Sequence, residues 1–133
     1  MYPRGIVALA GALVGAVAFT ATAQSSKDWV DIKDPKELNA LYSNKTFRGK
    51  GGDGSPFVGH YRADGKGLLI LHNGERVPRT WEVKEDQVCV TDAKATNCFQ
   101  LQRNTKNRNE IVAKHVRDRW VAQFTVEDGI PQF

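Results

Sequence analysis

The stretch that decides the fold is Trp81–Leu101, WEVKEDQVCVTDAKATNCFQL. Two apolar runs flank a polar loop, with Cys89 before it and Cys98 after it, and these are the chain's 2 cysteines. If Cys89 stands opposite Cys98, Val88 pairs with Phe99 and Val90 with Asn97. Val88, Val90, Phe99 and Leu101 then share one face of a β-hairpin, and the cysteines share the other. That consistent parity predicts a cross-strand disulfide. Redox pairs more typically lie as close as C-x-x-C, and these are farther apart. In the chain-entropy picture, a staple closing a loop of this length contributes about 2–3 kcal/mol.

Upstream of the hairpin, short β-prone runs alternate with turn signals. Thr46-Phe47-Arg48-Gly49 leads into the glycine-rich turn Gly51-Gly52-Asp53-Gly54, where positive φ costs little. Phe57–Arg62 and Gly67–His72 follow, separated by Asp64-Gly65. Asn73-Gly74 comes next, and both dipeptides signal two-residue hairpin turns. Val77–Val83 alternates, with Val77, Trp81 and Val83 on one side. Downstream come a basic loop, Glu110–Arg117, a turn at Arg117-Asp118-Arg119, and a last strand from Trp120 to Val126. In that strand Trp120, Ala122, Phe124 and Val126 face one way, while Val121, Gln123 and Thr125 face the other. Eight strands with turns this regularly spaced, and no helical pattern between them, describe an antiparallel meander. Such a meander hides its edges by closing into an up-and-down barrel.

Before the strands, Asp34-Pro35-Lys36-Glu37 signals a helix start. Asp34 is the cap, Pro35 the first helical residue, and Glu37 completes a capping box. Leu38, Leu41 and Tyr42 then fall on one face. A helix this short must pack on something to persist, most simply across one end of the barrel.

Met1–Ala23 has the pattern of a secretory signal peptide. A short n-region carries Arg4, Gly5–Phe19 is apolar and uncharged, and Ala21-Thr22-Ala23 supplies small residues for cleavage before Gln24. The chain of 133 residues carries 19 basic and 15 acidic side chains. Removing the leader takes away Arg4 alone, which leaves a mildly basic domain from Gln24 to Phe133. Export to the periplasm or beyond places the cysteines where a disulfide persists. No second apolar run is long enough to span a membrane. The terminal Phe133 resembles the aromatic ending of outer-membrane barrels, but charges on both faces of several strands exclude a lipid-facing band.

Candidate chemistry is sparse. His60, His72 and His115 lie on separate strands, and alternation sends His60 outward. With no H-x-H or H-E-x-x-H spacing, neither a metal nor a cofactor is expected. There is no G-x-S-x-G elbow and no P-loop, and Asp92, Glu110 and Asp118 sit near turns, so we expect no enzyme. Arg79 shares the inward side of its strand with Trp81. Pro78 beside it would mark a bulge or an edge that turns Arg79 out to solvent, which is the commoner outcome. Turned inward, a guanidinium needs an anion, and Arg79 would then orient an acidic ligand. Arg103, Lys106, Arg108, Lys114, Arg117 and Arg119 form a basic segment suited to lipid head groups or an acidic envelope partner. Nucleic acid is not expected, because no exposed aromatics interleave with these charges.

Several segments together resemble a family of small exported alphaproteobacterial proteins of unassigned function, lipocalin-like in outline. They are LYSNKTFRGK, FVGHYRADGKG, RTWEV, the QVCVTD…NCFQ hairpin and VAQFTVEDG. The resemblance implies a periplasmic or secreted barrel and no catalytic residues. The first strand carries Phe47-Arg48-Gly49 where true lipocalins carry G-x-W. The outline is also similar to that of a bacterial inhibitor of secreted metalloproteases, whose N-terminal tail enters the protease. Gln24-Ser25-Ser26-Lys27 would play that part here.

The expectation is one all-β domain, 24–133, folded as an eight-stranded antiparallel, up-and-down, lipocalin-like barrel with a short N-terminal helix. It would bind a small amphipathic or anionic ligand through Arg79, Trp81, Phe99, Trp120 and Phe124, with Val83 and Leu101 also lining the interior. The alternative is a protein-interaction module such as a periplasmic protease inhibitor.

Overall fold

A computed structural model of the chain describes residues 28–133. The expected leader Met1–Ala23 and the tail Gln24–Lys27 lie outside the described residues. The elements in chain order are β1 (Trp29–Ile32), α1 (Pro35–Tyr42), β2 (Lys45–Lys50), β3 (Pro56–Tyr61), β4 (Lys66–Leu71) and β5 (Arg76–Lys84). They continue as β6 (Gln87–Thr91), β7 (Thr96–Asn104), β8 (Glu110–His115) and β9 (Val121–Asp128). Each strand from β2 to β9 pairs antiparallel with the next, and β9 pairs back onto β2, so eight strands close into a barrel.

The cysteine hairpin adopts the register its parity predicts: Val88↔Phe99, Cys89↔Cys98 and Val90↔Asn97. Cys89 and Cys98 are joined by a disulfide, with Cα atoms 4.0 Å apart. The staple ties β6 to β7.

Three local features differ from expectation. First, Trp29–Ile32 forms a strand ahead of the helix. β6 pairs with β7 as far as Phe99, and β1 takes over the same edge from Leu101 to Asn104. Backbone donors that a shorter hairpin partner would leave unpaired are thereby satisfied. Second, the Asp64-Gly65 and Asn73-Gly74 turns are not two-residue loops. Gly65 and Gly74 have φ of 93° and 89°, while Asp64 and Asn73 stay at negative φ. The amides of Gly65 and Gly74 bond to Arg62 O and Leu71 O, and those of Arg62 and Leu71 bond to Lys66 O and Glu75 O. This is the longer hairpin loop in which glycine takes the left-handed position after a turn. Third, Asp34 caps α1 by accepting from the Lys36 amide at 3.0 Å, but Glu37 does not close a capping box. Its carboxylate instead reaches Arg103 Nη1 at 2.7 Å, an ion pair between helix and barrel.

Leu38, Leu41 and Tyr42 bury the apolar face of α1 against the end of the barrel where β3–β4, β5–β6 and β7–β8 turn. Two turns of helix gain their stability from that burial rather than from their own hydrogen bonds. Ile32, Phe47, Tyr61, Trp81, Val88, Leu101, Ile111 and Phe124 complete the core around them. Among the described residues, no helix caps the opposite end.

On the outer wall, Thr46 and His60 are cross-strand partners, and both are buried beneath the C-terminal segment. Thr46 Oγ1 donates to Gly129 O at 2.8 Å and so accepts from His60 Nδ1–H at 2.9 Å. Burial, then Arg48 and Arg76, hold the His60 imidazole below its ordinary value. A depressed imidazole means that the unfolded chain takes up the proton more readily than the folded one. The stability that neutral His60 contributes is therefore complete above the ordinary value and is lost as pH falls from there through the lower folded-state value. The urea midpoint should drop between about pH 7.5 and about pH 5.5, a range that brackets the ordinary imidazole value. Part of that drop should vanish in His60→Asn, which keeps a donor near the Nδ1 position. An identical pH slope in both proteins would refute the assignment.

Candidate ligand site

The uncapped end of the barrel opens into a cavity of about 290 Å³. Its floor is a cluster of aromatic rings supplied by α1, β2, β3 and β9. Phe47 stacks on Phe124 at 4.5 Å, and Tyr42 meets Phe47 and Tyr61 edge-on at 4.7 and 4.9 Å. Leu69, Leu71, Val90 and Phe57 line the wall. The space exists because opposing inward positions are small. Ala113 of β8 and Ala122 of β9 are direct cross-strand partners, and both line it.

Arg79 brings a charge to the cavity wall. It does not turn outward, and Pro78 makes no bulge: Gly67↔Arg79, Leu68↔Pro78 and Leu69↔Val77 pair without interruption. The Trp81 amide bonds to Gly65 O, on the β4 side, so by alternation the nitrogen of Pro78 faces the β6 side. β6 ends at Thr91, opposite Thr80, before reaching Pro78. The missing N–H of proline therefore costs no ladder bond, and strand alternation carries Arg79 inward.

The guanidinium is poorly satisfied where it lies. Nη1 faces the Tyr61 hydroxyl at 3.4 Å, and Nη2 stands 3.9 Å from Asp92 Oδ2, beyond hydrogen-bonding reach. Nε is buried without a partner among the described residues. Asp92 does not line the cavity. The amides of Lys94 and Ala95 bond to its Oδ1 at 2.8 and 3.0 Å, and these bonds, aided by Arg79, keep its carboxyl below the usual range. Tyr61 reaches Arg79 because its ring lies against Gly59 and Gly67, where a Cβ would come within 2.9 Å of ring atoms. Burial pushes the Tyr42 phenol well up and the Tyr61 phenol adds to this, with Arg79 partly offsetting both. Tyr42 thus remains a donor at neutral pH.

At the mouth, Trp120 is 39% exposed. Its indole stacks on His115 at 4.9 Å, meets Phe99 edge-on at 5.4 Å, and lies over Gly52, where a Cβ would approach to 2.9 Å. His115 is locked in one neutral tautomer. The Asp118 amide donates to Nδ1 at 2.9 Å, so Nε2 carries the proton and donates to Asn97 Oδ1 at 2.8 Å. His72 is exposed at the rim, and His60 lies on the outer wall, so the three histidines do not meet.

Of the residues expected to bind, Arg79, Phe99, Trp120 and Phe124 line the cavity. Trp81 does not. It is buried against Tyr42 in the core, and its indole N–H donates to Arg62 O at 2.8 Å. Leu101 and Val83 also belong to the core and not to the cavity. Tyr42, Phe47, Tyr61 and Asn97 join the site unannounced, although the inward parity of Phe57 and Tyr61 had been available from alternation.

The basic segment is not one surface. Arg103, Lys106 and Arg108 belong to the helix-capped end, Lys114 to the wall, and Arg117 and Arg119 to the mouth. Several are already engaged: Arg103 with Glu37, Lys106 with Asp28, and Arg117 with Asp118. No protein-family model, curated protein or solved structure matches the chain.

Proposed function

We propose that this protein is a non-enzymatic, exported binding barrel that holds a small amphipathic molecule in its cavity. One observation carries the reading: an aromatic and aliphatic cavity, open at one end, is lined by Arg79, whose guanidinium is left short of acceptors among the described residues. A donor kept dry and unpaired costs free energy, and a ligand acceptor would offset that cost. Binding sites commonly combine apolar walls with a few convergent polar groups. Since a cavity of about 150 Å³ takes up benzene, this one accommodates roughly a dozen non-hydrogen atoms. A full phospholipid is too large. The paired cysteines and the leader-like N-terminal sequence support export.

Filling the cavity tests the reading. Ala122→Phe projects a ring into the space from the same face of β9 as Phe124. Native mass spectrometry of protein recovered from a periplasm should show a co-purifying small molecule on the wild type and a bare mass for the variant. Far-UV circular dichroism and thermal melting should show both folded. Equal adduct occupancy in the two proteins would place the molecule elsewhere and sink the proposal.

A further inference from the structure

We infer that the molecule bound is a monocarboxylate, inserted head first so that its carboxylate meets Arg79 and Tyr61 on the cavity floor, and that Asp92 sets its charge. The inference rests on the binding reading above. The polar groups of the floor are donors: the Arg79 guanidinium, whose Nη1 has only a 3.4 Å contact to Tyr61 and whose Nη2 stands 3.9 Å from Asp92, and the hydroxyls of Tyr61 and Tyr42. Tyr61 O accepts weakly from Arg79 and keeps its own proton to give. Tyr42, buried and protonated, keeps its proton as well. A group that only accepts fits such a floor, and two coplanar oxygens suit the edge of a guanidinium. The apolar remainder would lie against Phe99, Phe124 and Leu69, with its far end toward Trp120 at the mouth.

The charge of the ligand follows from Asp92. Its carboxylate, in the turn between β6 and β7 at the open end, stands 3.9 Å from Arg79 Nη2 and accepts from two backbone amides that keep it ionised. Guanidinium and carboxylate together bring the local charge near zero before any ligand enters. One further negative charge can be met by Arg79 and the phenols. A second would be buried without a cation, which is costly in a dry cavity. Asp92 is thus a specificity-determining residue: it makes the empty Arg79 tolerable and turns away phosphate monoesters, which carry about two negative charges at neutral pH.

Calorimetric titration with phenylbutyrate, phenylbutanol and phenylbutyl phosphate separates the possibilities. Wild type should bind phenylbutyrate about tenfold to a hundredfold more tightly than the alcohol, as expected for hydrogen bonds to a charged group. Arg79→Met should remove that margin and leave the alcohol unchanged. Asp92→Asn keeps the Oδ1 that accepts the two amides, and should strengthen phosphate-ester binding most, carboxylate binding less and alcohol binding not at all. Tyr61→Phe provides a second reading should Arg79→Met fold poorly, with a severalfold loss confined to the carboxylate. Equal affinities for acid and alcohol would overturn the head-first carboxylate while leaving the cavity a binding site. Absence of binding by all three would overturn both readings.

Discussion

Replacing Gly49 by alanine is expected to open the barrel along β2 and β9, with a stability loss of more than about 3 kcal/mol, the upper range for forced overpacking. Gly49 faces Phe124 across the seam that closes the barrel. An ideal Cβ there would lie 2.0 Å from Gln123 O and 2.6 Å from Phe124 Cα. Both obstacles are backbone, so no side-chain rotamer relieves them and the two strands must separate. The damage should be local in origin. Hydrogen exchange should show amides of β2 and β9 losing protection first, while the β6–β7 hairpin, stapled by Cys89–Cys98 on the far side, keeps its protection. A Gly49→Ala protein whose urea midpoint lies within about 1 kcal/mol of wild type would show that the close approach is not what the seam requires.

Truncating Phe47 to alanine should cost about 3–5 kcal/mol, the range for a buried aromatic. Phe47 is 2% exposed and is the ring against which the others assemble: Phe124 at 4.5 Å, Tyr42 at 4.7 Å and Tyr61 at 5.0 Å. Its loss removes contacts for residues from α1, β3 and β9 at once, and a wall held by three elements collapses little into the vacated space. Phe47 also lines the cavity, so the void should join the ligand space. The variant should therefore accept a bulkier carboxylate than wild type, and saturating ligand should restore part of the lost stability by mass action. Urea denaturation with and without such a ligand measures both effects. A loss below about 1.5 kcal/mol would mean that the cluster repacks around the gap.

The parts of the fold that the chain announces are those governed by a period of two. Cys89 and Cys98 can face one another only if Val88 and Phe99 share the other face, and the observed register does this. The same parity brings Ala122 and Phe124 inward and sends His60 out. Turn positions were equally legible, because glycine after Asp or Asn marks a place where positive φ is needed. The loop length was not. The same dipeptide serves two hairpin geometries, and the choice depends on how the flanking strands twist.

The site itself was legible only in part, for the same reason. Alternation names which side of a strand a residue takes, and so it placed Arg79, Phe99, Trp120 and Phe124 on the inward side. That is an inward-facing position and no more, and for Arg79 the neighbouring Pro78 had favoured the outward side. Alternation says nothing of height along the barrel. Trp81 shares the parity of Arg79, yet it packs against Tyr42 in the core because β5 carries it toward the helix-capped end. Charge clustering in sequence likewise vanished in space, since Arg103–Arg108 and Arg117–Arg119 lie at opposite ends of a hairpin strand pair.

By itself the sequence determined an all-β meander, its strand faces, its stapled hairpin and the amphipathic helix, all of which follow from local spacing. Tertiary structure decided that β9 returns to β2, that β1 completes the edge of β7, and that β6 stops short of Pro78. It also decided that two alanines from different strands meet at one height and leave a cavity beside Arg79. Each of these depends on the stagger between strands, a quantity set by closure of the whole barrel and carried by no single segment of the chain.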